Sequence, residues 1–304
     1  MSSVGEDIIH RFRVHLELLR PFTLLAPIIV SCSVMIASLV CTGTLNLSFL
    51  SLLKTIMTAS ICFALLNGAS NILNQATDWK EDALSKPYRP IPRGTITPRE
   101  AYKASLIIYM IALLLSLAVH LLFCSFICII AFFSVTYSLP PRIKKYLLFN
   151  QLWVALPRGF FAILASWSVF SNPLTPLPIA MGCIAALFLF GGTATKDILD
   201  AEADRTVGTK TLINVYGVKR TAFFSLFFML GAFCLVGPLV YLGIINDVFL
   251  PIMLLGFLSI IIAWLMFHNQ KNTRRENISA WTLMYVTYFI FAVSFSALTI
   301  SFFE

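Results

Sequence analysis

Charge is scarce in this chain. Asp, Glu, Lys and Arg make up only 12% of its 304 residues, hydrophobic residues make up 59%, and the acidic side contributes just 14. So little charge is too thin a coat for a soluble domain of this size. A mean hydropathy of +0.87 points instead to an integral membrane protein. The seven Cys include no close pair of the zinc type, and all lie in or beside apolar stretches. Cys124 and Cys128, four apart on a helix face, are expected to pack rather than to form a disulfide or hold zinc. No soluble segment interleaves aromatic and basic residues, so nucleic acid is not an expected partner. Residues 1–20 are too polar for a cleaved signal peptide, so the first apolar stretch is expected to be retained and the mature chain to begin near Met1.

Apolar stretches long enough to cross a bilayer, about 17 to 25 residues, fall at 22–42, 50–74, 104–120, 122–138, 148–171, 175–195, 221–243, 248–267 and 279–302. The stretch 104–138 has no charged break. One straight helix of that length would run about 50 Å at 1.5 Å per residue, so a turn near His120 to Ser125 is predicted. With the N-terminus inside and nine crossings, every one of the 22 Lys and Arg residues except Lys54 and Arg158 falls on the cytoplasmic side. The loops near 41–50, 120–125, 171–175 and 243–248 contain neither residue, which is the positive-inside pattern. The C-terminus is then expected on the opposite side. The +8 balance reflects this topology and an anionic ligand before it says anything else.

Against this apolar background two acidic clusters stand out, each closing a span at the cytoplasmic edge. Asn74, Asp78 and Asp82 form the first, and Asp197, Asp200 and Asp204 the second. Steps of three and four residues put each set on one helix face. Ionisable groups at such a place face a protein interior or a wet cavity and are functional candidates. Four spans separate the clusters, which suggests two related four-helix units plus a ninth helix, with the clusters facing one another across a central cavity. Topological coincidence explains the spacing equally well. The expected fold is an all-α membrane protein, a single domain over 1–304, with nine transmembrane helices around that cavity.

The two cytoplasmic loops, about 75–103 and 196–220, supply cations. In the first, Lys86, Arg89 and Arg93 sit in the run KPYRPIPRG, where prolines fix the backbone and Gly94 permits a sharp turn. The second offers Arg205 and Lys210, while Lys219 and Arg220 read as ordinary positive-inside residues. Magnesium takes oxygen ligands, commonly one or two carboxylates together with substrate phosphates. Two facing carboxylate walls suit two such ions around a diphosphate, whose remaining oxygens the Lys and Arg would neutralise. A diphosphate on a hydrocarbon that the membrane can deliver is an allylic prenyl diphosphate. Metal would draw charge onto the leaving group, and an apolar cavity would exclude water from the developing carbocation.

The runs 74–82, 86–94 and 197–204, with Lys210, Thr211, Leu212 and Gly217 after them and Arg20 with Pro21 before the first span, resemble the UbiA family of membrane-intrinsic prenyltransferases over nearly the whole chain. The resemblance implies a helical ring around a cavity, Mg2+, a polyprenyl diphosphate such as geranylgeranyl diphosphate, and a lipophilic acceptor: an aromatic quinone precursor, a tetrapyrrole or a prenylglyceryl phosphate. It implies metal binding by Asn74, Asp78, Asp82, Asp197, Asp200 and Asp204, with Asp78 and Asp200 central to catalysis. Tyr137, with Arg142, Lys144 and Lys145 after it, resembles a Tyr and basic segment facing the diphosphate, with Tyr137 a catalytic candidate, although an interfacial Tyr beside positive-inside cations would look the same. Arg20 is a similar diphosphate candidate. Arg158, an Arg inside a span, needs a partner or a wet cavity and is a candidate for an acceptor's anionic group. Many members carry Asp after the first Asn, where this chain has Gln75. A helix turns that position about 100° away from Asn74, so metal binding is expected to survive while acceptor identity stays open. An ion-coupled transporter using the same carboxylates is the alternative, disfavoured by an outer half with almost no polar pathway. A phosphatidyl-transferring enzyme lacks its contiguous acidic motif here.

Overall fold

Every regular element of the computed structural model is helical among the residues it describes, 3–43, 48–268 and 279–303. The expected cytoplasmic loop bearing Lys271, Arg274 and Arg275 lies outside these residues, as does part of the loop at 41–50. Helix α1 (Ser3–Leu19) precedes α2 (Pro21–Thr42), which starts with Pro at its first position, where the missing amide costs nothing. α3 (Phe49–Thr77) is capped by the Ser48 hydroxyl and runs beyond the predicted 50–74. Short α4 (Trp79–Ser85) continues it past Asp78.

α5 (Pro98–Val119) opens with a full capping box: the Thr97 hydroxyl accepts from the Glu100 amide, and the Glu100 carboxylate accepts from the Thr97 amide. The predicted break falls at His120. This residue is extended (φ −177°), and its Nδ1 accepts from the amides of Leu122 and Phe123, which starts α6 (Leu121–Ser138). The expected span at 148–171 is helical but not uniform. α7 (Phe149–Ala155) passes through a π-helical turn at 156–161 into α8 (Ala162–Ser168). Pro157 lies inside the widened turn, and Gly159 lets it press on the next helix, since a Cβ there would lie 2.5 Å from the Ala186 amide nitrogen.

α9 (Pro176–Gly192) leads through a tight turn at 193–196 into α10 (Asp197–Thr206). α11 (Leu212–Cys234), α12 (Val236–Tyr241), α13 (Gly256–His268) and α14 (Ser279–Phe303) complete the chain. Eight helices among the described residues are long and apolar enough to cross a membrane. The stretch 149–168, divided by its π turn, stands apart from those eight. All seven cysteines are free thiols; Cys124 is buried and Cys128 exposed. Many bulky apolar side chains face outward, including Leu106, Ile107, Phe223, Phe227 and Trp264, as a lipid-facing surface requires. α4 packs on α10, which brings the two acidic segments together.

Candidate active site

The first acidic set is carried on one continuous hydrogen-bonded ladder. The amide of Asp78 donates to the carbonyl of Asn74, that of Asp82 to Asp78 and that of Lys86 to Asp82, so the α3–α4 junction bends at Asp78 without losing register. Asn74, Asp78 and Asp82 therefore share a face, and all three line one cavity with Asp197, Asp200 and Asp204. Lys86 pairs with Asp200 and so ties one acidic segment to the other.

Each carboxylate of the first wall is held by a cation. Arg89 donates through Nη1 to both oxygens of Asp82, at 2.9 and 2.8 Å, with both side chains nearly sealed from solvent. Burial pushes the Asp82 carboxyl up from its ordinary value, while Arg89 and Lys86 pull it down. Arg142 reaches Asp78 at 2.6 Å and Glu81 at 3.6 Å. Lys144 pairs with Asp78 and donates to the Asn74 side-chain oxygen at 3.0 Å. Burial draws the Lys144 ammonium down, and Asp78 opposes it.

On the second wall a part-buried network fixes Tyr137. Its hydroxyl accepts from Lys196 Nζ at 2.7 Å and donates to Asn150 Oδ1 at 3.0 Å, and Asn150 Nδ2 donates to Asp197 at 3.3 Å. Lys196 also lies 3.6 Å from Asp197. The Tyr137 ring has Lys196 and Lys144 within 5.3 and 5.8 Å of its centre. Asp204 lines the cavity with no ion pair among the described residues.

Of the cations expected at a diphosphate, Arg20, Lys86, Arg89 and Lys144 line the cavity. Arg93, Lys145, Arg205 and Lys210 do not. Arg93 turns away to Glu17 of α1 at 2.7 Å, sent outward by the sharp turn at Gly94 (φ +77°). Arg205 and Lys210 are exposed, and the Lys210 amide donates to the Lys145 carbonyl, which joins the two loops outside the mouth. Arg158 lines the chamber, with no ion pair among the described residues. Gln75 is buried behind Asn74, its Nε2 donating to the carbonyls of Leu18 at 2.8 Å and Asn71 at 3.2 Å. Gln75 thus points away from the cavity that Asn74 lines. Lys196, Asn150 and Glu81 line the same cavity without having been singled out as site residues from the sequence, while Arg142, expected in the basic segment after Tyr137, pairs with Asp78 and Glu81.

Below these polar groups the wall changes character. Val30, Phe63, Leu66, Ile130, Val154, Ala162, Leu189 and Met284 line the cavity there, interspersed with Ser31, Asn67, Ser70, Ser134 and Ser166. Among the described residues no three Asp, Glu, His or Cys side chains gather closely enough to cage an ion by themselves. The donors present are carboxylate and amide oxygens on two walls, a set suited to a hard divalent cation that shares its coordination with ligand oxygens.

Such a site, a polar mouth rich in Asp, Lys and Arg above an apolar chamber inside a helical membrane body, defines a class: membrane-embedded proteins for ligands with a polyanionic head and a hydrocarbon tail. The UbiA prenyltransferase family model matches residues 24–293, and the chain belongs to that family of prenyl-transferring enzymes. A digeranylgeranylglyceryl phosphate synthase of Methanothermobacter thermautotrophicus is 27% identical over 289 residues, 94% of this chain and 97% of its own length. The synthase of the same name from Methanobrevibacter smithii is 26% identical over 237 residues, 76% of this chain and 83% of its own. The fold matches a UbiA homologue from Archaeoglobus fulgidus bound to GPP and Mg2+, with a TM-score of 0.70, 20% identity and coverage of 95% and 99% of the two chains.

Proposed function

We propose that this protein transfers a prenyl chain from a prenyl diphosphate to a lipid acceptor bearing a phosphate, a prenylglyceryl phosphate, and releases diphosphate. The observation that carries this is the meeting of both acidic segments and four expected cations at the mouth of one apolar chamber. Asn74, Asp78 and Asp82 on one wall and Asp197, Asp200 and Asp204 on the other are the residues that would hold Mg2+, and the Archaeoglobus homologue of similar fold is bound to GPP and Mg2+. Magnesium would supply neutralisation of the charge that gathers on departing diphosphate.

The rest falls to the chain itself. Arg20, Lys86, Arg89 and Lys144 meet phosphate oxygens, and Arg142 is delivered to the same place by Asp78 and Glu81. Diphosphate takes over partners that the carboxylates hold in its absence. Tyr137, locked by Lys196 and Asn150, presents its ring beneath the mouth, where an electron-rich face suits a developing allylic cation. The lining from Leu66 to Ile130 and Val154 keeps water from that cation, so the acceptor hydroxyl is the nucleophile within reach. Arg158, in the chamber without an ion-pair partner among the described residues, offers a counter-charge to the acceptor's phosphate. The relatives named digeranylgeranylglyceryl phosphate synthase favour that acceptor over the aromatic and tetrapyrrole ones. Nine crossings, counting 149–168, with the N-terminus and the motif loops cytoplasmic, accord with the distribution of Lys and Arg.

The test is a competition. Purified protein receives labelled geranylgeranyl diphosphate, magnesium and an equimolar panel of geranylgeranylglyceryl phosphate, hydroxybenzoate, homogentisate and chlorophyllide. The label should pass to the phosphate-bearing lipid, and Arg158→Met should raise the KM for that acceptor more than the KM for the donor. Label in an aromatic or tetrapyrrole product would assign another acceptor.

A further inference from the structure

Helix α1 carries two apolar faces, and the bundle covers only one of them. Val14 and Leu18, a turn apart, are buried in a cluster with Ile72 and Ala76 of α3, Ile91 and Ile96 of the loop between α4 and α5, and Ala101 of α5. On the other face Ile9, Phe12 and Leu16 follow helical spacing and are 44%, 63% and 39% exposed. At 100° per residue this stripe lies roughly 170° from the buried pair. Packing α1 on its own bundle therefore cannot cover both.

What the stripe meets depends on how the helix lies. The Ser105 hydroxyl of α5 donates to the Ala69 carbonyl of α3 at 2.9 Å, which sets those two residues at one depth. At 1.5 Å per residue, Gln75, which holds the Leu18 carbonyl, stands about 9 Å beyond that depth toward the motif loops, and Glu100 about 7.5 Å. Arg11 and His15 lie near enough to Glu100 to act on its carboxylate. The stretch 11–18, about 10 Å long, thus has its two ends within about 2 Å of one height. It runs along the membrane surface and not away from it. Its level is that of the headgroups, since the lipid-facing side chains of α5 begin just below, at Leu106 and Ile107, and those of α2 begin at Phe22, just past the end of α1.

Charge accords with this placement. Arg11, Arg13, Arg99 and Lys103 are exposed on α1 and the first turns of α5. Against them stand Glu17, which Arg93 meets at 2.7 Å, and Glu100, which closes the capping box of α5. An apolar stripe flanked by cations, on a helix lying in the interface, is built to sit between lipid chains and anionic headgroups.

We infer that α1 is a membrane-surface helix that inserts Ile9, Phe12 and Leu16 among lipid chains and binds the phosphate-bearing headgroups of anionic lipids through Arg11 and Arg13. This goes beyond the transfer reaction and stands or falls without it.

The experiment reconstitutes the full chain into vesicles of phosphatidylcholine alone or of phosphatidylcholine mixed with phosphatidylglycerol. Amide hydrogen exchange over residues 9–19 is followed by mass spectrometry for the parent, for Arg11→Gln with Arg13→Gln, and for Phe12→Ser with Leu16→Ser. Exchange in α14, read from the same samples, reports whether each variant keeps its fold. Anionic vesicles should slow exchange in the parent by about tenfold or more relative to neutral ones. The double Gln variant should lose that difference, and the double Ser variant should exchange faster than the parent in both kinds of vesicle. Equal exchange of the parent in the two kinds of vesicle overturns the proposal, whatever the variants do. Protection that follows protein concentration in detergent and ignores lipid composition also overturns it, and assigns the stripe to a second copy of the chain.

Discussion

Gln75 and Asn74 are neighbours in sequence with opposite jobs, and exchanging each for Leu separates them. The Gln75 amide donates to the Leu18 carbonyl at 2.8 Å and to the Asn71 carbonyl at 3.2 Å. Leu18 lies in the last turn of α1, where carbonyls have no helical partner ahead of them. Asn71 does the same for Leu19 at 3.0 Å. Gln75→Leu keeps much of the volume but removes both donations and strands the buried Leu18 carbonyl, at a cost of about 1–3 kcal/mol. That loss should appear as a lower midpoint in thermal unfolding of the detergent-solubilised protein. Transfer per folded molecule should stay within about threefold of the parent, because no Gln75 atom lines the cavity. Asn74→Leu should do the reverse, with a small change in midpoint and a loss of transfer on the order of 100-fold or more. A Gln75→Leu protein as stable as its parent, or folded but inactive, would refute the placement of Gln75 as a helix-end cap.

Other outcomes follow from the same geometry. Asp78→Ala and Asp200→Ala should each lower kcat/KM by on the order of 100–1,000-fold, and in titrations with magnesium each should raise the concentration needed for half-maximal rate. Arg89→Met leaves Asp82 buried without its bidentate partner and should cost about 3–5 kcal/mol of stability; Asp82→Asn in the same protein should restore much of that loss without restoring transfer. Arg93→Ala removes only an exposed pair with Glu17, so stability should change by less than about 1 kcal/mol, with donor KM unaltered in steady-state assays. A tenfold rise in donor KM would instead place Arg93 on the diphosphate.

The helices long and apolar enough to cross a membrane were legible because apolar length is a one-dimensional signal. The break at His120 was legible from the arithmetic of helix rise, and the structure adds the reason for its exact position, a histidine ring capping the next helix. The acidic faces were legible because helical spacing alone groups Asn74, Asp78 and Asp82. Lys196 and Asn150 were not. Each reads as an ordinary polar residue at a span end, and their convergence on Tyr137 depends on how α6, α7 and the turn before α10 meet. Arg89 and Arg93 differ for a related reason. Both sit in one basic run, yet the turn geometry sends the first into the cavity and the second to α1, which no count of charges distinguishes. The smooth span expected at 148–171 hid its π turn, since Pro157 and Gly159 mark an irregularity without specifying its form.

The central claim is that the two acidic walls act together on a prenyl diphosphate. Its most direct measurement is single-turnover transfer from labelled geranylgeranyl diphosphate to geranylgeranylglyceryl phosphate by the purified protein, with magnesium present and then chelated. One diphosphate released for each labelled lipid formed, only with magnesium and only while Asp78 and Asp200 are both intact, is the predicted result. Transfer that persists in chelator or in Asp78→Ala, or no transfer at all alongside cation flux through proteoliposomes, would contradict it.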